Sequence, residues 1–306
     1  MSNTTRRACI MGHPVAHSRS PMIHGYWLKQ LGIDGAYDFK DLTPEEFPAF
    51  IAGLGSNGYV GGNVTVPHKE AAFRGVSQRD AASEAVGAVN VLWVENGKLM
   101  GGNSDVHGFI NNLDVTAPGW QVPDACAVVL GAGGSARSAV YAFIQRGVRV
   151  KLVNRTIERA QELAKHFGAP VGAPVGAPVG APVGASVSAS VSAHGPDELP
   201  ALLSGADVLV NCTSTGMAGK PPLVIDLVPL KNSAVVYDIV YVPLETELLA
   251  QARRRGHRCV DGLGMLLHQA GYGFQKWFGA KTDITAALRQ LVEADIVAAS
   301  SKSSGR

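Results

Sequence analysis

Two groups of residues in this sequence have the types and spacing to do chemistry. The first is a set of short polar side chains in the N-terminal third. "GGNVTVPHK" (61–69) places Asn63 and Thr65 on one face of a strand and Val64 and Val66 on the other. Pro67 has no N–H to give to a ladder, so pairing is expected to stop there, with Lys69 just past the strand end. "HSRSP" (17–21) sets Ser18 and Ser20 at a helix start, where serine commonly caps. "GAVN" (87–90) puts Asn90 into an apolar strand, and "GGNSDVHGF" (101–109) brings Asn103 and Asp105 to one face if extended. Each alone has an ordinary explanation as a cap, an edge position or an Asx turn. Strand ends in α/β sheets are also where ligands bind.

The second group is "AVVLGAGGSARSAVYAF" (127–143), which reads as a strand, a glycine-rich turn and a helix start. Gly131, Gly133 and Ala136 occupy the G-x-G-x-x-G/A positions, with Ala132, Gly134 and Ser135 completing the turn. The first glycine permits the tight turn, the second lets the backbone approach a pyrophosphate, and Ala136 lets helix pack closely on strand. The free N–H groups and dipole of the helix N-terminus favour that anion. A second strand follows (148–153) and ends on Asn154, Arg155 and Thr156, with Arg159 a turn further on. An NAD site usually carries Asp or Glu there. A guanidinium in place of a carboxylate points to the 2′-phosphate of NADP(H).

Elements able to hold these groups alternate along the chain. Strand-like runs lie at 8–11, 36–39, 86–94, 127–130, 149–153, 207–211, 234–239 and 258–260, with helical patterns at 21–31, 44–54, 135–146, 157–167 and 245–255. Such alternation implies βαβ units and a mostly parallel sheet. "ENGK" (95–98) is a hairpin signal that adds an antiparallel element to the first third. Residues 168–193 repeat GAPV and then SASV-like tetrapeptides. Proline at every fourth position forbids a regular helix, and the segment reads as an inserted low-complexity loop.

At 306 residues the chain has length for two domains. A hydrophobic content of 46% and a net charge of +2 describe a globular protein with no basis for nucleic-acid or membrane partners. No signal-like leader and no bilayer-spanning apolar run are read, and the expected compartment is the cytoplasm. Cys9, Cys126, Cys212 and Cys259 show no paired spacing, so neither disulfides nor a zinc site is expected. His13 and His17 are four apart, but Pro14 between them argues against a helical metal pair, and no metal is assigned.

The stretches "GHPVAHSRSPMIH", "GGNVTVPHK", "GAVN", "GGNSD", "GAGGSARSA", "NRT", "DIVYVPLETELL" and "DGLGMLLHQAGYGF" resemble the shikimate dehydrogenase family, in family order from residue 12 to 274. The resemblance implies two α/β domains with the active site in a cleft. One is a substrate-binding domain of residues 1–107 with 264–306, and the other a Rossmann-type NADP domain of residues 108–263. It implies Lys69 as the catalytic lysine with Asp105 as its partner. Ser18, Ser20, Asn63, Thr65, Asn90, Tyr241 and Gln269 resemble substrate-binding groups, and Gly262 and Met265 resemble residues lining the nicotinamide. The implied reaction is NADPH-dependent reduction of 3-dehydroshikimate to shikimate, by a monomer or homodimer. The alternatives are a quinate/shikimate dehydrogenase and a catalytically quiet NADPH-binding regulator. The chain departs from the family pattern at Gly25, Val91 and Val106.

Overall fold

The computed structural model describes residues 5–168 and 190–303. The chain divides into one unit of Met1–Gly108 with Leu267–Arg306 and a second of Phe109–Leu266. The first opens with β1 (Arg6–Gly12), α1 (Ser20–Gln30), β2 (Gly35–Asp41), α2 (Phe47–Ala52), β3 (Tyr59–Val64) and α3 (Lys69–Gly75). It continues through β4 (Gln78–Arg79), α4 (Ala81–Val86), β5 (Val91–Glu95), β6 (Lys98–Gly102) and α5 (Ser104–Thr116). Its six strands run in the order β2-β1-β3-β5-β6-β4. β1 pairs in parallel with β2 and β3, and β5 lies antiparallel to both β3 and β6. The β5–β6 hairpin turns at Asn96 and Gly97, both at positive φ, as an Asn-Gly turn requires.

The second unit holds β7 (Cys126–Leu130), α6 (Gly134–Gln145), β8 (Arg149–Val153), α7 (Ile157–Gly168), β9 (Val191–His194) and α8 (Leu199–Leu203). β10 (Val208–Asn211), β11 (Val235–Asp238), α9 (Glu247–Arg254), β12 (Arg258–Val260) and the start of α10 (Gly262–Phe278) complete it, while α10 from Leu267 onward and α11 (Ala286–Ser303), which ends the described chain, return to the first unit. The strands of the second unit are all parallel, in the order β12-β11-β10-β7-β8-β9. That is the doubly wound order, which reverses direction between β7 and β10. The strands are buried on both faces and read as continuous apolar runs, such as Cys126–Leu130, with every residue buried.

Three readings need correction. The run 86–94 is not one strand. Asp80 caps α4 by accepting from Ser83 N (2.7 Å), Gly87 ends it at φ 73°, and β5 begins only at Val91. Val66 does not share an apolar face with Val64: β3 ends at Val64, and Val66 is 69% exposed. Of the insertion expected over 168–193, residues 169–189 lie outside the described residues, and Gly168 ends α7. Val191–His194 is a strand paired with β8, because its alternating small and polar side chains suit a sheet edge and its backbone completes the ladder.

In the first unit, Cys9, Met11, Phe47, Ile51, Val64 and Leu92 share one apolar cluster. An aromatic group joins Trp27 on α1 with Phe274 and Trp277 on α10, around His24. Trp277 Nε1 donates to the Leu92 carbonyl at 2.7 Å. A Cβ at Gly61 would collide with both, which is why "GGN" opens with a residue that has none.

Candidate active site

β3 carries Asn63 to its end, and Thr65 stays tied to β1 through its N–H, which donates to Met11 O at 2.9 Å. His68, buried and stacked on Phe47, bonds the Leu42 carbonyl at 2.7 Å and anchors the turn ahead of α3. Lys69 is the first residue of that helix. Its Nζ donates to Asp105 Oδ2 at 2.6 Å, with the lysine side chain 31% exposed and the aspartate side chain 12%.

Asp105 is fixed on its other side. Asn90 Nδ2 donates to Asp105 Oδ1 (2.8 Å) and to Ser104 Oγ (3.1 Å), while Asn90 Oδ1 accepts from Ser104 N at 2.7 Å. Asn103 and Asp105 are not on one extended face. Asp105 lies in the first turn of α5, and its N–H donates to Asn103 Oδ1 at 3.1 Å, an Asx-type start to the helix. Asn90 precedes β5 rather than lying within it, and its amide is spent on Ser104 and Asp105. Asp80, absent from the sequence reading, also holds this turn: its Oδ2 accepts from Asn103 N (3.2 Å) and from Tyr272 OH (2.9 Å).

Tyr37 was also missed. Its hydroxyl donates to Asn63 Oδ1 at 2.6 Å, and Asn63 Nδ2 donates to the Asn90 carbonyl at 3.4 Å. Ser18 Oγ donates to Ser20 Oγ and accepts from Ser20 N, each at 3.3 Å. Ser18 is therefore not a conventional cap. Arg19 holds that position, without a side-chain cap bond. A chain of hydrogen bonds thus runs from Tyr37 through Asn63, Asn90 and Asp105 to Lys69, with Ser18 and Ser20 bonded to each other. Gln269 is half-buried on α10 and bonds none of these groups among the described residues. The departures at Val91 and Val106 are buried, and a Cβ at Gly25 would meet open space.

In the second unit Gly131 stands at φ 101° after β7, where a Cβ would come within 3.1 Å of Thr213. Only glycine serves there. Gly133 is the N-cap of α6 with no side-chain cap bond, and a Cβ on Gly133 or Gly134 would meet nothing. Uncapped N–H groups beneath open space fit a pyrophosphate. Ala132 and Ser135 are half-buried beside them, and Ala136 is fully buried against the sheet. Asn154 Nδ2 donates to Thr156 O at 2.8 Å and shapes the turn after β8, from which Arg155, Thr156 and Arg159 are exposed. Gly262 and Met265 are buried at the start of α10, and Tyr241 is half-buried after β11.

Asp238, another residue the sequence reading passed over, organises the loop that carries Tyr241. It accepts from Asn211 Nδ2 (2.9 Å), Val240 N (3.0 Å) and Thr246 Oγ1 (2.7 Å), while burial raises its pKa above the ordinary carboxylate value. Among the described residues no cluster of three or more His, Cys, Asp or Glu could hold a metal, and no helix is long and apolar enough to cross a membrane.

The shikimate dehydrogenase substrate binding domain profile matches residues 10–92, and the shikimate / quinate 5-dehydrogenase profile matches residues 117–173. A shikimate dehydrogenase (NADP(+)) of Chelativorans sp. is 50% identical over 299 residues, covering 97% of this chain and 99% of that protein. The chain belongs to the shikimate dehydrogenase family. Its fold is that of a crystal structure of shikimate 5-dehydrogenase from Thermus thermophilus in complex with NADP(H) and shikimate. The two superpose with a TM-score of 0.78 at 30% identity, over 95% of this chain and 99% of that one. A quinate dehydrogenase from Corynebacterium glutamicum in complex with NAD superposes with a TM-score of 0.83 at 26% identity, over 95% and 99% of the two chains. The substrate-binding profile spans Lys69 and Asn90 and stops short of Asp105.

Proposed function

We propose that the protein catalyses the reversible NADPH-dependent reduction of 3-dehydroshikimate to shikimate, with Lys69 as the proton donor. The observation that carries this reading is the 2.6 Å contact between Lys69 Nζ and an Asp105 carboxylate held from behind by Asn90. NADPH, when bound, supplies the hydride that goes to C3 of the ketone. The ammonium of Lys69 stabilises the charge developing on the C3 oxygen and gives it a proton, leaving a neutral amine that solvent reprotonates. Asp105 keeps the ammonium in one place and accepts from a ring hydroxyl. Ser18 and Ser20 bind the carboxylate, and Asn63, Thr65 and Gln269 bind ring hydroxyls, with Tyr241 on the substrate side. Asn90, expected among the substrate groups, acts instead by holding Asp105, since its amide is spent on Ser104 and Asp105. Tyr37 fixes the orientation of the Asn63 amide by donating to its oxygen.

The turn Gly131–Ala132–Gly133–Gly134–Ser135–Ala136 receives the pyrophosphate. Asn154, Arg155, Thr156 and Arg159 read the 2′-phosphate, and Gly262 and Met265 line the nicotinamide. The two ends of the reaction are split between a substrate domain of residues 1–107 with 264–306 and a nucleotide domain of residues 108–263, and the enzyme works in the cytoplasm. Steady-state rates with shikimate and with quinate, each with NADP and with NAD, test the reading. Shikimate with NADP should give the highest kcat/KM, and a preference for quinate or for NAD overturns the corresponding half.

A further inference from the structure

β9 emerges from the end of the expected low-complexity loop and carries a second set of residues with the types and spacing for chemistry. Ser192 and His194 are two apart on this strand, so their side chains leave the same face of the sheet. Glu198 follows in the short turn Pro196–Glu198 beyond the strand end. Ser192 Oγ lies 2.7 Å from His194 Nε2, and His194 Nδ1 lies 2.8 Å from Glu198 Oε2. The other carboxylate oxygen, Oε1, accepts from Gly195 N at 3.0 Å, so the carboxylate is held through both oxygens. These bonds also keep it ionised: the Glu198 pKa is lowered, first by the bond from His194 and then by the Gly195 N–H.

The bonding fixes the tautomer. An ionised carboxylate can only accept, so Nδ1 carries the ring proton, and Nε2 of the neutral ring accepts from the Ser192 hydroxyl. In that arrangement an imidazole can remove the proton of a serine nucleophile while a carboxylate holds the ring. Among the described residues β9 is the terminal strand of its sheet. The carbonyls of Ser190 and His194 accept from Val150 N and Asn154 N, so these residues turn their backbone groups toward β8. By alternation Ala193 presents its N–H to the open edge. Ala193 follows the serine, the position whose backbone N–H commonly stabilises an acyl oxyanion. Ser192, His194 and Glu198 are not among the residues assigned to shikimate or NADP.

We propose that Ser192, His194 and Glu198 form a second catalytic site, at which Ser192 is the nucleophile in the hydrolysis of small carboxylic esters with a good leaving group. Ser192 Oγ attacks the carbonyl carbon of the ester as its proton passes to His194 Nε2. The Ala193 N–H meets the tetrahedral oxyanion. The bond from the carbonyl carbon to the leaving oxygen then breaks, and the imidazolium gives its proton to that oxygen. Water attacks the acyl-Ser192 ester in the same way, with His194 as base, and releases the carboxylic acid and the free serine. No oxidant, reductant or nucleotide enters the balance. Ser192 is exposed at the sheet edge, so it is open to a small activated ester and gains little binding energy from a large one.

Hydrolysis of p-nitrophenyl acetate by the full chain, with no nicotinamide nucleotide present, tests this. Wild type should release p-nitrophenol over many turnovers. Ser192→Ala should lower the catalysed rate roughly tenfold or more, a modest value for a positioned base because the site is open to water. His194→Gln should lower it as much. Glu198→Gln should lower it too, because an amide no longer holds the ring in one tautomer. A fluorophosphonate, whose adduct with an activated serine is stable, should label Ser192 in wild type and leave it unlabelled in His194→Gln, as read by peptide mass spectrometry. Thermal unfolding close to wild type shows that each variant is folded. Ser192→Cys covers the case in which Ser192→Ala melts early, since a thiol at the same place should still take an acetyl group from the ester. The proposal is overturned by a folded Ser192→Ala protein that hydrolyses the ester as fast as wild type. It is overturned equally by a single stoichiometric burst without turnover, or by Ser192 labelling that is absent from wild type or unchanged in His194→Gln.

Discussion

Lys69→Ala should lower kcat by roughly 10²–10⁴-fold, the scale of a positioned proton donor. NADP affinity should stay close to wild type, since the glycine turn lies in the other unit. Single-turnover rates and NADP titrations check this, and near-normal turnover would remove Lys69 from the mechanism. Asn90 acts on the same carboxylate from behind. Asn90→Ala leaves buried Asp105 Oδ1 and Ser104 N without the amide they bond, so its effect on kcat should fall short of additive with Lys69→Ala. At the second unit, Arg155→Ala should erase a wild-type preference for NADP over NAD of roughly ten- to a hundredfold, the worth of one charge-assisted contact. Asn154→Asp should go further and favour NAD. Wild type binding both nucleotides equally tightly would sink the nucleotide assignment. All three predictions rest on residues visible as types at fixed positions: position at a strand end singled out Arg155, whereas the roles of Lys69 and Asn90 followed from the resemblance to the family.

At the scale of elements, the strands hold the site by where they end. Lys69 reaches Asp105 because β3 stops at Val64 and α3 starts at Lys69, while α5 begins where Asn103, Ser104 and Asp80 can tie down its first turn. α10 depends on a close approach of the same kind in the second unit. A Cβ at Gly262 would collide with the carbonyl group of Ile239, which is backbone and cannot swing away. Gly262→Ala should therefore cost about 1–3 kcal/mol, the usual range for overpacking, and should weaken NADP binding as the helix start shifts. Thermal unfolding and nucleotide titration read the two effects. A variant as stable as wild type would show that α10 can retreat from β11 freely.

Across the whole molecule, stability should carry one acid-sensitive contribution that no motif announces. His24 is fully buried between Trp27, Tyr37, Phe274 and Trp277, with neither ring nitrogen bonded among the described residues, and burial lowers its pKa to about 3. The unfolded chain takes up that proton near the ordinary value of 6.5. The stability from keeping His24 neutral is thus complete above that value and drains as pH falls toward 3, by about 1.4 kcal/mol per unit. His24→Phe keeps the stacking and should flatten this part of the acid limb in denaturant titrations; an unchanged slope would show that His24 is protonated in the folded state. The sequence by itself determined the two α/β units, the glycine turn, the arginine strand end and the family, because period, turn chemistry and residue type are local properties. It did not determine that Tyr37 bonds Asn63, that Asn90 spends its amide on Asp105 and Ser104, or that Asp238 gathers Asn211 and Thr246. Nor could it show that β2 is an edge while Gly61 is covered by Trp277. Those partners lie far apart in the chain, and only sheet order and helix packing bring a tyrosine hydroxyl or an aspartate within hydrogen-bonding distance of them.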